Sequence, residues 1–157
     1  MNVKNLVQTA FVLFILNFAA CKSKQVYQAS NLPASYLEFG TFNTSSGVKV
    51  SWIFLENGQV FYKNNLFISE QKPLKKATAS SLFAEAKRVK RSGYKIRVEG
   101  AYMAHITLKS SVQDTEYTWT WPYGGSKDYP DELKALYIQV ENALKLTSSI
   151  SSPILPD

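Results

Sequence analysis

The sequence predicts an α+β fold: a five-stranded, mainly antiparallel sheet in the order βββ-α-ββ-α, with two helices packed on one face. Three observations predict it. Apolar residues alternate with polar ones in several short runs, which is the period of a half-buried strand. Asn57-Gly58 stands between two such runs, and this dipeptide favours a tight hairpin turn. Two longer segments carry apolar residues at helical spacing, and two amphipathic helices need a sheet face to cover.

The elements follow in chain order. Residues 36–42 form a first strand that turns back near Ser45-Ser46-Gly47. Val48, Val50, Trp52 and Phe54 alternate along a second strand, and a third follows the Asn57-Gly58 turn. A two-residue turn sets Leu55 against Val60 and Phe54 against Phe61. Trp52, Phe54 and Phe61 then share one face, and Ile53, Leu55, Val60 and Tyr62 share the other. Ala79, Leu82, Phe83, Ala86 and Val89 mark a helix, with Thr78 as its N-cap and Gly93 just past its end. Tyr102, Ala104, Ile106 and Leu108 alternate along a fourth strand, and Tyr117, Trp119 and Trp121 along a fifth. Pro130 suits the first position of a second helix, and Asp131 and Glu132 suit its positive end. Leu133, Leu136, Tyr137, Val140 and Leu144 form its apolar stripe.

The N-terminus carries a different signal. Lys4 precedes an apolar run over residues 6–18, too short to cross a bilayer core as a helix but the right shape for a secretory signal. The run ends in Phe18-Ala19-Ala20-Cys21, and Cys21 is the only cysteine. These four residues resemble a bacterial lipobox, with Phe18 in the place usually held by Leu. The resemblance implies cleavage after Ala20, a thioether-linked diacylglycerol on the Cys21 sulfur and a further acyl chain such as palmitate on its freed amino group. Two or more acyl chains give a stable anchor where one does not. The expected organisation is a signal peptide over 1–20, a polar tether over 21–35, a single domain over 36–146 and a flexible Ser/Pro-rich tail over 147–157. A domain with no second cysteine is held by core burial and not by an internal disulfide.

The runs "FLENGQVF", "EGAYMAHITL" and "YTWTW", with Leu136-Tyr137 in the last helix, resemble small lipoproteins of Bacteroidetes-type bacteria. The resemblance spans most of residues 39–144. It departs at Ala101-Tyr102, where that family favours Asn, and at "GTFNTSSG", where it favours glycines. It implies an envelope lipoprotein and carries over no activity and no catalytic residue.

The sequence holds few signals of chemistry. His105 is the only histidine, and no Gly-x-Ser-x-Gly elbow frames a serine. A lone His without carboxylate or thiolate partners makes no zinc site. His105 is expected to be structural or solvent-facing. The acidic residues are scattered, and "YGGSKDYP" lacks the spacing of a phosphate loop. No catalytic residue, metal site or cofactor is expected. Two surfaces remain. Five strands with helices on one face leave the other uncovered, so Ile53, Leu55, Val60 and Tyr62 form an expected partner-binding patch. The formal net charge is +6, and Lys87, Arg88, Lys90 and Arg91 crowd one helix end. That cluster is either a solvated face favoured by the helix dipole or a contact with anionic headgroups or polysaccharide. Tyr117, Trp119 and Trp121 are expected to be core beneath a helix.

The function expected is that of a lipid-anchored cell-envelope protein, a non-enzymatic binding or accessory module. The alternatives are an inhibitor of a secreted or host hydrolase, and an enzyme with an unrecognised site. The expected location is the outer membrane, facing the periplasm. The expected partners are the membrane, reached through the lipid, and an envelope protein or polysaccharide. An exported chain does not meet nucleic acid.

Overall fold

The computed structural model describes residues 25–110, 115–123 and 129–147. The strands are β1 (Tyr36–Asn43), β2 (Lys49–Phe54), β3 (Val60–Asn64), β4 (Ile68–Gln71), β5 (Tyr102–Ser110) and β6 (Thr115–Pro122). The helices are α1 (Lys76–Arg91) and α2 (Lys134–Thr147), the latter entered through a short 3-10 turn at Asp131–Leu133. The strands form one antiparallel sheet in the order β4-β3-β2-β1-β5-β6. Among the described residues the fold is α+β with two helices, as expected, but the sheet has six strands and the order is ββββ-α-ββ-α.

The added strand is β4. Its four residues are half-buried or exposed and carry no alternation, so it lacks a periodic signal. Its pairing comes from the turn before it. The Asn64 Oδ1 accepts from the amides of Leu66 and Phe67, and the Asn64 amide donates to the Phe67 carbonyl. This side-chain turn folds the chain back on β3 without a Gly or Pro.

The β2–β3 hairpin differs from expectation by one residue. Phe54 pairs with Val60, Ile53 with Phe61 and Trp52 with Tyr62. The Leu55 amide donates to the Gln59 carbonyl, and the Gly58 amide donates back to the Leu55 carbonyl. The loop therefore has three residues, Glu56-Asn57-Gly58, and Gly58 takes the positive φ (95°) that closes this type of turn. Side chains alternate with period two, so a one-residue shift moves β3 to the opposite facing. Val60 and Tyr62 join Trp52 and Phe54, whereas Phe61 joins Ile53 and Leu55.

The first face of the sheet carries Leu37, Phe39, Trp52, Phe54, Val60, Ala104, Ile106, Leu108, Trp119 and Trp121, all buried with residues of both helices in one core cluster. The expected stripes hold: Ala79, Leu82, Phe83, Ala86 and Val89 of α1 are buried, as are Leu136, Tyr137, Val140 and Leu144 of α2. Trp119 and Trp121 are core residues, and Tyr117 is half-buried against them. Tyr117 Oη and Trp119 Nε1 both donate to the Tyr94 carbonyl, at 2.7 and 3.0 Å, tying the chain after α1 to β6. Residues 96–98 then run parallel to β6, with Val98 donating to Thr120 and Thr120 to Ile96. That leaves β4 as the uncovered edge among the described strands.

The helix ends correct two further expectations. The α1 N-cap is Lys75 and not Thr78; the Leu74 amide is bonded to the Gly58 carbonyl, so the helix starts nearly a turn early. Pro130 is extended and precedes the 3-10 turn, with Asp131 and Glu132 in that first turn. Gly93 follows the Ser92 C-cap at φ 73°, as its position predicts.

Residues 25–35, expected as tether, pack on the second face of the sheet. Tyr27, Ala29 and Leu32 lie against Ile53, Leu55 and Phe61. Gln59 fixes this strap: its Oε1 accepts from the Tyr27 amide at 2.8 Å, and its Nε2 donates to the Tyr27 carbonyl at 3.0 Å. Asn57 Nδ2 donates to the Gln25 carbonyl at 2.7 Å. Gln59 is itself buried, so replacing it orphans both Tyr27 backbone groups. Gln59→Ala is expected to cost about 1–3 kcal/mol. It is also expected to speed proteolysis near Tyr27 well before global unfolding, which limited digestion at increasing urea reads directly. At the other end, Thr147, expected as tail, is the last residue of α2 and is buried. The signal peptide, Cys21, the tail beyond Thr147 and the glycines of "YGGSKDYP" lie outside the described residues.

Candidate functional site

The expected partner patch does not form a surface. Ile53, Leu55 and Val60 are buried and Tyr62 is half-buried. The hairpin shift puts Val60 and Tyr62 under the helices, and the strap covers Ile53 and Leu55. The second face is thus split. Its apolar half, across β2 and β3, is closed by the chain's own residues 25–35. Its polar half, across β1, β5 and β6, is left open by the described residues.

The register builds that open half row by row. Glu38 of β1 stands opposite Thr107 of β5, which stands opposite Thr118 of β6; one step along, Gly40 lies between His105 on β5 and Ser51 on β2, and Thr120 follows His105. Gly40 is the residue that lets this row close up. A Cβ there would run into the Val50 carbonyl oxygen and lie 2.7 Å from both His105 Cε1 and Ser51 Cβ. The imidazole therefore lies over the glycine, 4% exposed, and a strand-interior Gly marks this close approach. The ring of Phe42 flanks it at 5.9 Å.

Above this floor is a cleft of about 560 Å³, lined chiefly by Phe42, Thr44, Lys49, His105, Thr118 and Thr120. A groove of about 500 Å³ adjoins it past Thr120, along Arg97 and Glu99. Glu38 is the hub. Its Oε1 accepts from Lys49 Nζ at 3.0 Å and stands 3.4 Å from His105 Nε2. With its proton on Nε2 the imidazole donates to the carboxylate, and the buried Nδ1 is left as an acceptor without a partner among the described residues. The Ser51 hydroxyl, also buried, has none among them either. Thr107 and Thr118 hydroxyls meet at 2.9 Å.

Burial alone pushes the Glu38 carboxyl up, but the His105 bond and the Lys49 charge outweigh it and hold the group at about 2. The sign of the linkage follows. A carboxylate depressed by folding stabilises the native state above its unfolded value of about 4.5, and that contribution is lost as pH falls towards 2. Wild-type stability is expected to drop by roughly 2–3 kcal/mol more than that of Glu38→Gln across this window. Urea midpoints of both proteins between pH 5 and 2 check the convergence.

A carboxylate, an imidazole, an ammonium and a row of hydroxyls make a dense hydrogen-bonding surface. They do not make an acyl-transfer site among the described residues, because no hydroxyl is hydrogen-bonded to either imidazole nitrogen. No group of three potential metal ligands occurs among the described residues. No described helix is long and apolar enough to cross a membrane.

The basic residues separate on inspection. Arg88 is engaged by Glu85 on the helix surface at 2.7 Å, and Lys87 by Glu56 at 2.7 Å. Lys90 lines a small hollow with Lys87, Glu56 and Lys109, and Arg91 is exposed. Sequence reasoning missed Glu38 and Gly40. The legible signal for both was one polar and one glycine position inside an otherwise apolar strand, "LEFG". A comparison with known protein-family models and with curated proteins finds no match to the chain.

Proposed function

We propose that this chain is a lipid-anchored, non-enzymatic binding module of the cell envelope. Cys21 carries the anchor, and the cleft over Glu38, Lys49 and His105 receives a polar, hydroxylated ligand such as an envelope polysaccharide. One observation carries this reading. The fold spends residues 25–35 on covering the apolar half of the sheet's second face and, among the described residues, leaves the polar half open over a buried acceptor without a partner. A buried polar atom without a partner is costly, and a ligand hydroxyl donating to His105 Nδ1 would relieve that cost. The threonines and Lys49 supply the remaining donors around it, and Phe42 supplies an apolar face of the kind against which sugar rings pack. On this reading the anchor holds the site beside a bilayer, on the periplasmic side of the outer membrane.

Two variants test the halves of the proposal separately. Cys21→Ser is expected to move the protein from the detergent phase to the aqueous phase on phase partition, with the fold unchanged. Thr118→Arg places a long side chain over the cleft from an exposed position. It is expected to reduce retention on immobilised envelope polysaccharide at least tenfold with the chain still folded, the lost bond to the Thr107 hydroxyl lowering the urea midpoint only slightly. Retention equal to wild type would remove the cleft as the binding site.

A further inference from the structure

The strap does more than cover the sheet. It ends at Gln25, whose carbonyl is bonded to Asn57 at the β2–β3 turn. Only four residue steps separate Cys21 from Gln25, a reach of at most about 14 Å even fully extended. β5, nine residues long, spans about 30 Å from one end of the sheet to the other. The leash is about half the length of the domain it holds. Resting on the lipid-anchor reading above, it keeps the turn end close to the headgroups and leaves the opposite end out of reach.

That end is also where the positive charge collects. α1 starts beside Gly58, through the bond from the Leu74 amide, and finishes beside β6, where Tyr94 receives Tyr117 and Trp119. It therefore crosses the strands along the turn end. Lys72, Lys75 and Lys76 lead into it, and Lys87, Lys90 and Arg91 close it, all but the half-buried Lys90 exposed. Lys109, at the end of β5, shares a hollow with Lys87 and Lys90. The acids described on this end are Glu56, paired with Lys87, Glu85, paired with Arg88, Glu70, held by Gln59 beside the turn, and Glu116, opposite Lys109 in the sheet; the cations outnumber them. The first turn of α1 has no acidic residue and no side-chain cap, while Lys75 and Lys76 stand at its positive pole. The helix dipole disfavours that placement, and an external anionic surface would offset the cost.

We propose that the Asn57–Gly58 end of the domain docks on anionic phospholipid headgroups of the membrane that holds Cys21. Short leash and basic rim act together, because charges held within about a Debye length, ~8 Å, of an anionic surface are attracted without much screening. The domain then stands end-on. The rim of the cleft at Asn43, Thr44 and Gly47, at the other end of β1 and β2, faces away from the bilayer towards the envelope space.

The test uses the full lipidated chain reconstituted in phosphatidylcholine vesicles, with and without phosphatidylglycerol. A fluorophore is placed on Ala34→Cys at the turn end or on Ser45→Cys at the opposite end, both exposed, the native Cys21 sulfur being occupied by lipid. A headgroup-attached quencher is expected to quench the label at 34 several-fold more than the label at 45, most strongly with phosphatidylglycerol. Reversing the exposed Lys76 and Lys87 to Glu is expected to abolish the phosphatidylglycerol dependence with the chain still anchored. Equal quenching at the two positions on vesicle-bound protein would overturn the docking and leave the anchor intact. A chain that fails to float with vesicles and carries no lipid mass overturns the anchor, and the docking with it.

Discussion

Trp119→Ala is expected to lower stability by about 3–5 kcal/mol, the range for truncating a large aromatic in a closed core. Trp119 is fully buried on the first face of the sheet, next to Tyr117 at 4.8 Å between rings. Its neighbours Phe39 and Ile106 share its row, so the void is bounded on the sheet side by strands that cannot collapse independently. Its Nε1 also donates to the Tyr94 carbonyl, the bond that fastens the chain leaving α1 to β6. Two costs therefore add: a cavity beneath the helices and a weakened link between helix and sheet edge. Small domains have about 5–15 kcal/mol in total, so the variant is expected to sit near the folding threshold at 37 °C. Trp119→Phe separates the terms. It keeps most of the volume, loses the indole bond, and is expected to cost about half as much. Urea unfolding of the three proteins measures both.

Gly40→Val is the second large effect, and it reports on the site. The added carbons meet the Val50 carbonyl, which belongs to the β1–β2 ladder and has no freedom to move, and His105 and Ser51, which have some. Overpacking of this kind costs about 1–3 kcal/mol, more where backbone is the obstacle. The imidazole is expected to be displaced from its place over residue 40, breaking the Glu38 contact and opening the floor of the cleft. His105→Ala in the Gly40→Val background removes one of the colliding groups. A double-mutant cycle is therefore expected to show favourable coupling of about 1 kcal/mol between the two positions. Additive behaviour would mean that the collision with Val50 dominates and that His105 already has room to move.

The parts of the fold that the sequence makes legible are those set by local periodicity. The α1 and α2 stripes and the alternation of β5 and β6 are each written in a contiguous run, and tertiary packing agrees with local preference. What is hidden depends on contacts between distant segments. Asn57-Gly58 announces a turn, but the choice between two and three loop residues rests on Gln59 closing against Leu55 and on the strap that Gln59 holds, 32 residues away in sequence. That one-residue difference decides whether Val60 and Tyr62 face the helices. The strap looks like a tether because it is polar and short of apolar residues; its Tyr27, Ala29 and Leu32 find a ready-made apolar strip and fill it. The site is hidden for the same reason. Glu38 and His105 are 67 residues apart, and only the β1–β5 register brings them together.

The central claim is the lipid on Cys21, from which the location, the short leash and the orientation of the cleft all follow. Intact-mass spectrometry of the protein extracted from membranes tests it most directly. The account predicts a chain beginning at residue 21 whose mass exceeds that of residues 21–157 by a diacylglyceryl group and a further acyl chain. A chain beginning elsewhere, or one bearing an unmodified thiol at position 21, would contradict it.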